Sequence, residues 1–351
     1  MRIFCYFVEP AAYTLDLATN VYEKNNIDYT FLYSYSLAKS LPISSKVFLD
    51  KLSWISRMRF VINTFRNNDF IIVNGYNNYP FVLTFILNVF SFNKKYIAAE
   101  SDTQLSILKN PLKRLLKWGY LSIIFRNKYV LGFAGGSKSH KELFRYYGML
   151  EDRIFLMPMM VDNTKFYCNN KVFPKPFTFL YVGRLLDTKN VDVLCERFIN
   201  VFSGKNVELI IVGGGNNLSK LKRQYFHEKI QFKGSIFGEN LIKLYHNSSV
   251  FVFPSSVEAW GLVINEAMSA ALPIIAHKEV GSVYDFIYEK NTGFVIENWE
   301  ELETKMLELY NNPDLCKKFS KNAESLMKEY WNYSLYESCL NNAIKKVEQW
   351  R

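Results

Sequence analysis

The strongest constraint on the fold is an alternation of short β-branched or aromatic runs with helical stretches, which occurs in both halves of the chain. Parallel sheets produce this pattern, because their strands are joined by crossover helices. We predict an α/β fold with two doubly wound, Rossmann-like domains whose parallel sheets face a cleft. The predicted strands are Arg2–Val8, Asp28–Tyr33, Phe70–Asn74, Lys95–Ala99, Tyr129–Ala134 and Ile154–Met157 in the first half, and Phe177–Gly183, Val207–Val212, Ile230–Lys233, Val250–Pro254, Pro273–Ala276 and Gly293–Ile296 in the second.

A polar, proline-containing segment separates the two halves. It reads MPMMVDNTKFYCNNKVFPKP and has the composition of a linker. A chain of 351 residues also favours two domains on length alone. We predict an N-terminal domain over residues 1–160, a C-terminal domain over 161–332, and a helix over 333–351 that packs back on the N-terminal domain.

Cysteine, histidine and hydropathy patterns exclude several classes of protein. Five cysteines and four histidines are scattered without metal-ligand or paired spacing, so the sequence predicts neither a zinc site nor a disulfide framework and favours a reducing cytosol. The longest apolar stretch, from Tyr79 to Phe92, is shorter than the roughly 20 residues of a membrane-spanning helix. We interpret it as a buried helix between two strands, in a soluble or peripheral protein.

Positive charge is concentrated in the first half of the chain. The formal net charge is +10, and residues 1–160 carry 20 Lys and Arg against 11 Asp and Glu. The densest patch, KNPLKRLLKWGYLSIIFRNK, interleaves cations with apolar side chains, as interfacial helices on anionic lipid do. We predict that Lys113, Arg114, Lys117 and Trp118 face a membrane. The alternative is a solvated helix whose apolar face belongs to the core, whereas no nucleic-acid-binding module accompanies the charge.

Two glycine-containing turns in the second half suit a phosphate. In FTFLYVGRLLDTKN a strand leads into Gly183, followed by Arg184 and Lys189 where a helix begins. Glycine permits close backbone approach, and the two cations could bind diphosphate oxygens beside a helix N-terminus. The next strand enters IVGGGNN, where Gly213 and Gly215 allow a tight turn. Taken singly, such turns and cations are more often structural or solvated.

Two carboxylates flank a third strand-to-helix turn. In VFVFPSSVEAWGLVINEAMSAALPIIA, Glu258 lies in the loop and Glu266 lies in the following helix. A carboxylate in such a helix can bind a ribose diol, as acidic residues do in dinucleotide sites. The loop carboxylate would face the group attached to the phosphate, and a sugar satisfies both requirements.

These segments, together with HKEVGSV, resemble the C-terminal half of family-4 retaining glycosyltransferases of the GT-B fold. The resemblance implies that Arg184 and Lys189 hold the donor diphosphate, that Glu258 contacts the donor sugar and that Glu266 holds the ribose. Two positions depart from the family pattern, since Asn190 follows the lysine where glycine is frequent, and an Ala-Trp pair replaces Gly-Phe. The further donor-binding residues that it implies are Gly183, Gly213, Gly215, Trp260, Gly261 and Leu262.

The first half resembles the family only in architecture, and its predicted role is to bind the acceptor. Relatives carry a Gly-Gly turn after the first strand, where this chain reads VEPAAY. We predict that Glu100 and Asp102, in the loop after Lys95–Ala99, point into the cleft. Helix caps and turns are the alternative explanation for the whole set. The acceptor-side candidates are Asn74, Glu100, Asp102, Gly135 and Gly136.

The resemblance implies a retaining hexosyltransferase of cell-surface polysaccharide synthesis, in the lipopolysaccharide or capsule class. Its donor would be a UDP- or GDP-sugar. The basic, aromatic first half favours a lipid-linked or glycan acceptor and a cytoplasmic protein that is peripheral at the inner membrane leaflet and binds no nucleic acid. No D-x-D motif occurs, so we expect neither a metal nor another cofactor. The alternatives are a catalytically silent sugar-nucleotide-binding or membrane-surface scaffold and a GT-B-fold sugar-nucleotide epimerase.

Overall fold

The computed structural model describes residues 1–34 and 47–351. Contacts within the chain divide it into two units, one formed by Met1–Val161 with Tyr333–Arg351 and the other by Asp162–Asn332. Among the described residues, no helix combines the length and apolarity that crossing a bilayer requires.

Each unit contains a six-stranded sheet in which every neighbouring pair of strands is parallel. The first sheet has the order β2-β1-β3-β4-β5-β6 and the second β12-β11-β10-β7-β8-β9. The strands are β1 Ile3–Phe7, β2 Asp28–Phe31, β3 Phe70–Asn74, β4 Tyr96–Ser101, β5 Val130–Ala134, β6 Ile154–Leu156, β7 Phe177–Val182, β8 Val207–Val212, β9 Ile230–Gly234, β10 Val250–Phe253, β11 Ile274–His277 and β12 Gly293–Ile296.

Helices connect the strands in both units. The helices of the first unit are α1 Ala12–Leu17, α2 Trp54–Asn67, α3 Tyr79–Phe90, α4 Pro111–Phe125, α5 Lys141–Tyr146 and α13 Tyr333–Trp350. Those of the second are α6 Val191–Val201, α7 Leu218–Gln224, α8 Glu239–His246, α9 Leu262–Ser269, α10 Val283–Phe286, α11 Trp299–Asn311 and α12 Pro313–Ser325. The predicted α/β class with two doubly wound parallel sheets is therefore confirmed.

The central strands are almost wholly apolar because helices cover both faces of a doubly wound sheet. In the first unit, β4 and β5 are buried along their whole length. One face of this sheet packs against α2 and α4 through side chains such as Phe65, Leu121 and Phe125. Helix α4 begins where the Asn110 side chain accepts a hydrogen bond from the Lys113 amide (3.0 Å), with Pro111 in the first turn.

Two local predictions in the first unit were wrong. Glu100 does not lie in a loop, because β4 continues to Ser101 and includes it. Helix α3 is not fully buried, since Phe90 is 80% exposed and Ile86 and Val89 are also exposed. That helix is apolar on all sides, but only one side can pack against the sheet.

Helix α13 belongs to the first unit although it follows the second unit in sequence. The ring of Trp350 stacks on Tyr96, with centroids 5.9 Å apart, and its carbonyl accepts a hydrogen bond from the Tyr96 hydroxyl (3.0 Å). Arg351 forms an ion pair with Asp69 (3.1 Å). These contacts attach the end of α13 to the amino-terminal ends of β3 and β4.

Candidate functional site

The order of the second sheet places a topological switch point between β7 and β10. After β7 the chain continues towards one edge strand of the sheet, and after β10 it continues towards the other. In doubly wound folds, ligands bind in the crevice between the loops that follow two such strands. The loop after β7 contains Gly183 to Lys189, and the loop after β10 contains Pro254 to Gly261. The predicted phosphate-binding and sugar-binding segments are therefore adjacent in the structure.

Lys189 and Glu258, which are 69 residues apart, form an ion pair at this switch point. The Lys189 ammonium lies 2.7 Å from the Glu258 carboxylate and donates to the Ser255 hydroxyl (3.1 Å) and the Val257 carbonyl (3.0 Å). Lys189 is buried, and a buried charge requires such partners. The structure thus brings together two of the three residues predicted to be catalytic and holds the ammonium in one place.

Asn190 connects the same two loops. Its backbone is left-handed, with φ of +49°, a conformation that glycine and asparagine adopt most readily. Its side-chain amide donates to the Pro254 carbonyl (2.9 Å) and the Ser256 hydroxyl (3.0 Å). Asparagine is therefore compatible with the left-handed backbone at this position, and it adds two hydrogen bonds to the β10 loop.

Arg184, the third predicted catalytic residue, is exposed at the same edge of the sheet. Its carbonyl accepts a hydrogen bond from the buried Tyr181 hydroxyl (3.1 Å), which fixes the backbone at this turn. Arg184 follows β7, so it adds positive charge at the same edge of the sheet as Lys189. Two cations at this edge suit the oxygens of a diphosphate.

Gly213 and Gly215 have a structural reason to be glycine. Both have φ of +144°, and a Cβ at either position would collide with a carbonyl oxygen of the β7 loop, that of Gly183 or of Leu185. These glycines allow the loops after β7 and β8 to pack against each other. Their contact with a donor stays a prediction.

The loop that carries Glu258 is supported by a neighbouring loop. The Glu258 carbonyl accepts a hydrogen bond from the Gly281 amide (3.1 Å), and the Trp260 carbonyl accepts one from the Ser282 amide (3.1 Å). Gly261, with φ of +97°, turns the chain into α9, which begins at Leu262. The backbone is therefore held at Glu258 and again at Trp260.

Trp260 supports this loop from inside the core. Its indole is 1% exposed, stacks on Trp331 (5.5 Å between centroids) and packs edge-on against Phe286 (5.3 Å). A side chain so enclosed has no open face for a donor. The predicted donor contact of the Trp260 side chain is therefore corrected to a packing role, and the sequence offered no sign of its partner Trp331.

Glu266 lies in the second turn of α9. It accepts a hydrogen bond from the Tyr245 hydroxyl (2.8 Å). Burial raises the pKa of Glu266 to about 7, and the Tyr245 hydrogen bond opposes that rise. A carboxylate in this position can accept hydrogen bonds from vicinal hydroxyls, which is the chemistry expected of a ribose-binding group.

The first unit contains a cavity of about 300 Å³ at its own switch point, where β1 and β3 are neighbours. Four of the five acceptor-side candidates line it, namely Asn74, Glu100, Asp102 and Gly135. Gly136 is buried beside Gly135 and is not among the lining residues. The sequence did not predict the other lining residues, which include Glu9 and Tyr13.

Glu100 forms part of the cavity wall and is held by side chains from distant segments. Its carboxylate accepts hydrogen bonds from Asn74 (3.3 Å) and from the Tyr336 hydroxyl of α13 (3.2 Å), and Tyr336 in turn bonds Tyr22 (2.9 Å). Burial raises the pKa of Glu100 to about 7. Asn74 was predicted, whereas no sequence pattern indicated Tyr336 or Tyr22, because they are far apart along the chain.

The lining of this cavity is acidic and aromatic. Glu9, Glu100 and Asp102 contribute carboxylates, Tyr13 and Tyr76 contribute rings, and no lysine, arginine or histidine occurs among the described lining residues. Carboxylates, amides and hydroxyls can bind the hydroxyls of a neutral sugar. They disfavour a phosphate or another anion in the same space.

The four residues predicted to face a membrane lie on α4. Lys113 and Arg114 are exposed, Lys117 is half-buried, and Trp118 is 40% exposed with the Arg126 guanidinium 5.4 Å from its ring centroid. Within residues 1–34 and 47–351, no group of three or more His, Cys, Asp or Glu side chains is placed to hold a metal ion.

Residues 164–326 match the family model described as "Glycosyl transferases group 1". The chain is 25% identical over 189 residues to the capsular polysaccharide biosynthesis glycosyltransferase CapM of Staphylococcus aureus, covering 51% of this chain and 50% of CapM. It is 33% identical over 168 residues to the O-antigen biosynthesis glycosyltransferase WbnH of Escherichia coli, covering 47% of this chain and 46% of WbnH. These matches span about half the length of the curated relatives.

The fold resembles solved structures over nearly the whole chain. The crystal structure of Anabaena Alr3699/HepE in complex with UDP superposes with a TM-score of 0.72 at 14% identity, covering 98% of this chain and 100% of that one. At this identity the likeness concerns the fold alone. The fold is GT-B, as predicted.

Proposed function

We propose that this chain, in which residues 164–326 form a group 1 glycosyltransferase domain, moves a hexose from a nucleotide-diphosphate sugar to an acceptor with retention of configuration. The observation that carries the proposal is the ion pair of Lys189 with Glu258 at the switch point of the second sheet, with Arg184 on the same edge. This geometry puts cations suited to a diphosphate next to a carboxylate suited to a sugar hydroxyl.

The donor would bind along the loops after β7 and β10. Arg184 and Lys189 would contact the diphosphate, Glu258 the sugar, and Glu266 the ribose hydroxyls. The structure of HepE holds UDP, which supports a uridine nucleotide for this chain as well, with GDP as the alternative. Because Lys189 is already held by three oxygen atoms, its ammonium is placed before the donor arrives.

Catalysis in this proposal is electrostatic. As the bond between the sugar and the diphosphate breaks, negative charge grows on the leaving phosphate, and the Arg184 guanidinium and the Lys189 ammonium stabilise it. The acceptor hydroxyl attacks from the same face and passes its proton to the departing phosphate oxygen. No enzyme nucleophile is needed, and the two cations supply the charge that a metal ion would otherwise provide.

The acceptor would occupy the cavity of the first unit, with its hydroxyls on Asn74, Glu100 and Asp102. CapM and WbnH are named for capsular polysaccharide and O-antigen synthesis, which supports a lipid-linked or glycan acceptor for this chain. A lipid-linked acceptor would lie in a membrane, so the proposed location is cytoplasmic and peripheral to the membrane.

A donor screen tests the proposal. The purified chain is mixed with UDP-, GDP- and ADP-sugars, thermal stability is measured for each, and release of the nucleoside diphosphate is followed with glycan acceptors. We expect stabilisation by one nucleotide class, and turnover that gives a product with the donor's anomeric configuration by NMR. Stabilisation by no nucleotide sugar, or an inverted product, would contradict the proposal. Binding without turnover on any acceptor would favour the silent scaffold.

A further inference from the structure

Helix α4 carries two apolar stripes, and only one of them is explained by folding. Leu121, Ile124 and Phe125 are buried against the sheet. A second set, at positions 112, 115, 116 and 123, is exposed to solvent. Its members are Leu112, Leu115, Leu116 and Ile123, which are 64%, 64%, 65% and 70% exposed. The alternative that the apolar side chains of this helix belong to the core therefore fails for these four.

The exposure extends to the segment before the helix. Every residue from 106 to 116 is exposed, and Ile107 and Leu108 add further apolar surface. We call residues 106–118 with Ile123 and Arg126 the α4 surface. Exposed apolar side chains that are contiguous in this way are unusual in a protein that has no partner.

The charge around the α4 surface has one sign. Between Asp102 and Glu142 the sequence contains eight lysines and arginines and no aspartate or glutamate. Lys113 and Arg114 alternate with the exposed leucines on the first turns of α4. A bilayer with anionic headgroups complements both features, since its surface attracts the cations and its interior accepts the leucines.

A shallow depression lies on the same surface. It is lined by Trp118, Ser122, Ile123 and Arg126, with the Arg126 guanidinium held near the Trp118 ring. The Ser122 hydroxyl is buried here and has no hydrogen-bond partner within the described chain. Arginine beside an amphipathic aromatic ring suits the level of phosphate headgroups.

We propose that the α4 surface docks on an anionic phospholipid bilayer, with Leu112, Leu115, Leu116 and Ile123 inserted below the headgroups and the flanking cations on lipid phosphates. This inference rests on the proposed function only where it places the acceptor cavity near a membrane. A second copy of this chain fits the surface less well, because two copies would bring the five cations of one α4 surface to face the five of the other.

Co-sedimentation of the full chain with phosphatidylcholine vesicles, with and without phosphatidylglycerol, tests the docking. We expect binding only to the anionic vesicles, and weaker binding as salt rises above about 0.1 M. Reversing three cations on α4 should weaken binding roughly a hundredfold. A matched reversal on the exposed face of α12 should change binding only slightly. The two variants are Lys113→Glu/Arg114→Glu/Lys117→Glu and Lys317→Glu/Lys318→Glu/Lys321→Glu.

An apolar pair of variants separates insertion from attraction by charge. Leu115→Ser/Leu116→Ser should weaken vesicle binding roughly tenfold and leave its salt dependence unchanged, because the leucines act through burial. Phe226→Ser/Phe237→Ser, which alters two exposed rings of the second unit, is the control and should have no effect. All four positions are exposed, so the variants should fold, and a thermal melt verifies this.

Three results would overturn the inference. They are equal binding to neutral and anionic vesicles, no binding to either, and a wild-type dimer in sedimentation that Leu115→Ser/Leu116→Ser converts to a monomer without any change in vesicle binding. Stabilisation by UDP is measured on the same samples. If the wild-type chain binds UDP but no vesicles, only the proposed docking of the α4 surface is refuted. If it binds anionic vesicles but no nucleotide, only the proposed function is refuted.

Discussion

The carboxyl-terminal edges of the two sheets have the same strand arrangement but differ in the charge of their side chains. Both carry a switch point and a strand-end or helix glutamate whose pKa burial raises to about 7, Glu100 in the first unit and Glu266 in the second. The second edge adds Arg184 and an ion-paired Lys189, whereas the described cavity of the first has carboxylates and no cation. The two sheets therefore share the topology of a binding edge, and the side chains at each edge differ in charge.

Under the proposed function, this difference gives each unit a different substrate. An anionic diphosphate is stabilised at the edge that holds cations. A neutral, hydroxyl-rich molecule suits the edge that holds carboxylates, amides and rings. A variant that alters one edge should therefore change the use of one substrate, the donor or the acceptor, and leave the use of the other close to normal.

The largest expected effect is at the cationic edge. Arg184→Ala or Lys189→Ala should reduce turnover by two to three orders of magnitude, on the order of 3 to 4 kcal/mol of transition-state stabilisation, because each removes a charge beside the leaving phosphate. Steady-state kinetics at saturating donor measure the loss. Asn74→Ala, in the first unit, should instead raise the KM of the acceptor. Near-normal turnover in both cation variants would contradict the role of the second edge in stabilising the leaving phosphate.

A smaller effect should separate the two carboxylates of the second unit. Glu266→Ala should weaken UDP binding roughly tenfold and lower turnover at saturating donor little, because the ribose does not react. Glu258→Ala should lower turnover and leave UDP affinity closer to normal, with Glu258→Gln as a variant that keeps a hydrogen-bond acceptor for Lys189. Calorimetric titration of UDP against each variant gives the affinities. Equal weakening by both alanines would contradict the division of roles.

The two glutamates with raised pKa values offer a pH test of the same comparison. Ribose hydroxyls favour the ionised carboxylate of Glu266, so UDP affinity should increase as pH rises through about 7. Over the range from pH 6 to 8 we expect an increase of several-fold. Glu266→Gln should remove the part of this dependence that UDP ionisation does not explain.

Glu100→Gln is the matched control for that experiment. Its carboxyl has a similarly raised pKa but lies in the first unit, so the pH profile of UDP binding should stay as in the wild type. The stability of the chain should respond to both residues. Because each folded pKa lies above its ordinary value, each glutamate stabilises the fold at low pH and loses that contribution as pH rises through about 7. A flat UDP profile in the wild type would refute the ribose assignment.

The smallest effect should come from removal of metal ions. EDTA should change turnover less than about twofold, because Arg184 and Lys189 meet the charge of the leaving group in this proposal. Turnover is measured before and after chelation and after Mg²⁺ or Mn²⁺ is restored. Complete loss in EDTA with full recovery in Mg²⁺ would show that the two cations do not suffice at the second edge.

The sequence predicted the strands well because parallel strands, covered on both faces, appear as short apolar runs. Val207–Val212 and Gly293–Ile296 match the structure at both ends. The positions of Lys189 after β7 and of Glu258 after β10 were also predictable, because the loops that follow parallel strands meet at one edge of the sheet. Their ion pair was not, since contact between residues 69 positions apart depends on side-chain geometry.

Burial explains the remaining errors. Nothing in EAWGL distinguishes a tryptophan that faces a ligand from one that stacks on Trp331 in the core. Tyr336 reaches Glu100 from α13, which follows the whole second unit in sequence. The leucines of α4 are the opposite case, because they are apolar and exposed. Periodicity shows that a helix has apolar faces, but it does not show how many of these faces the fold covers.

The discontinuity of the first unit also sets an order of events during protein synthesis. Residues 333–351 leave the ribosome after residues 162–332, so the second unit can complete its fold while the first still lacks α13. Until then Glu100 has no bond from Tyr336, and Tyr96 has no Trp350 ring beside it. The unit with the proposed donor site can therefore complete its internal contacts first, and a stop codon before Tyr333 would remove α13 from the first unit alone.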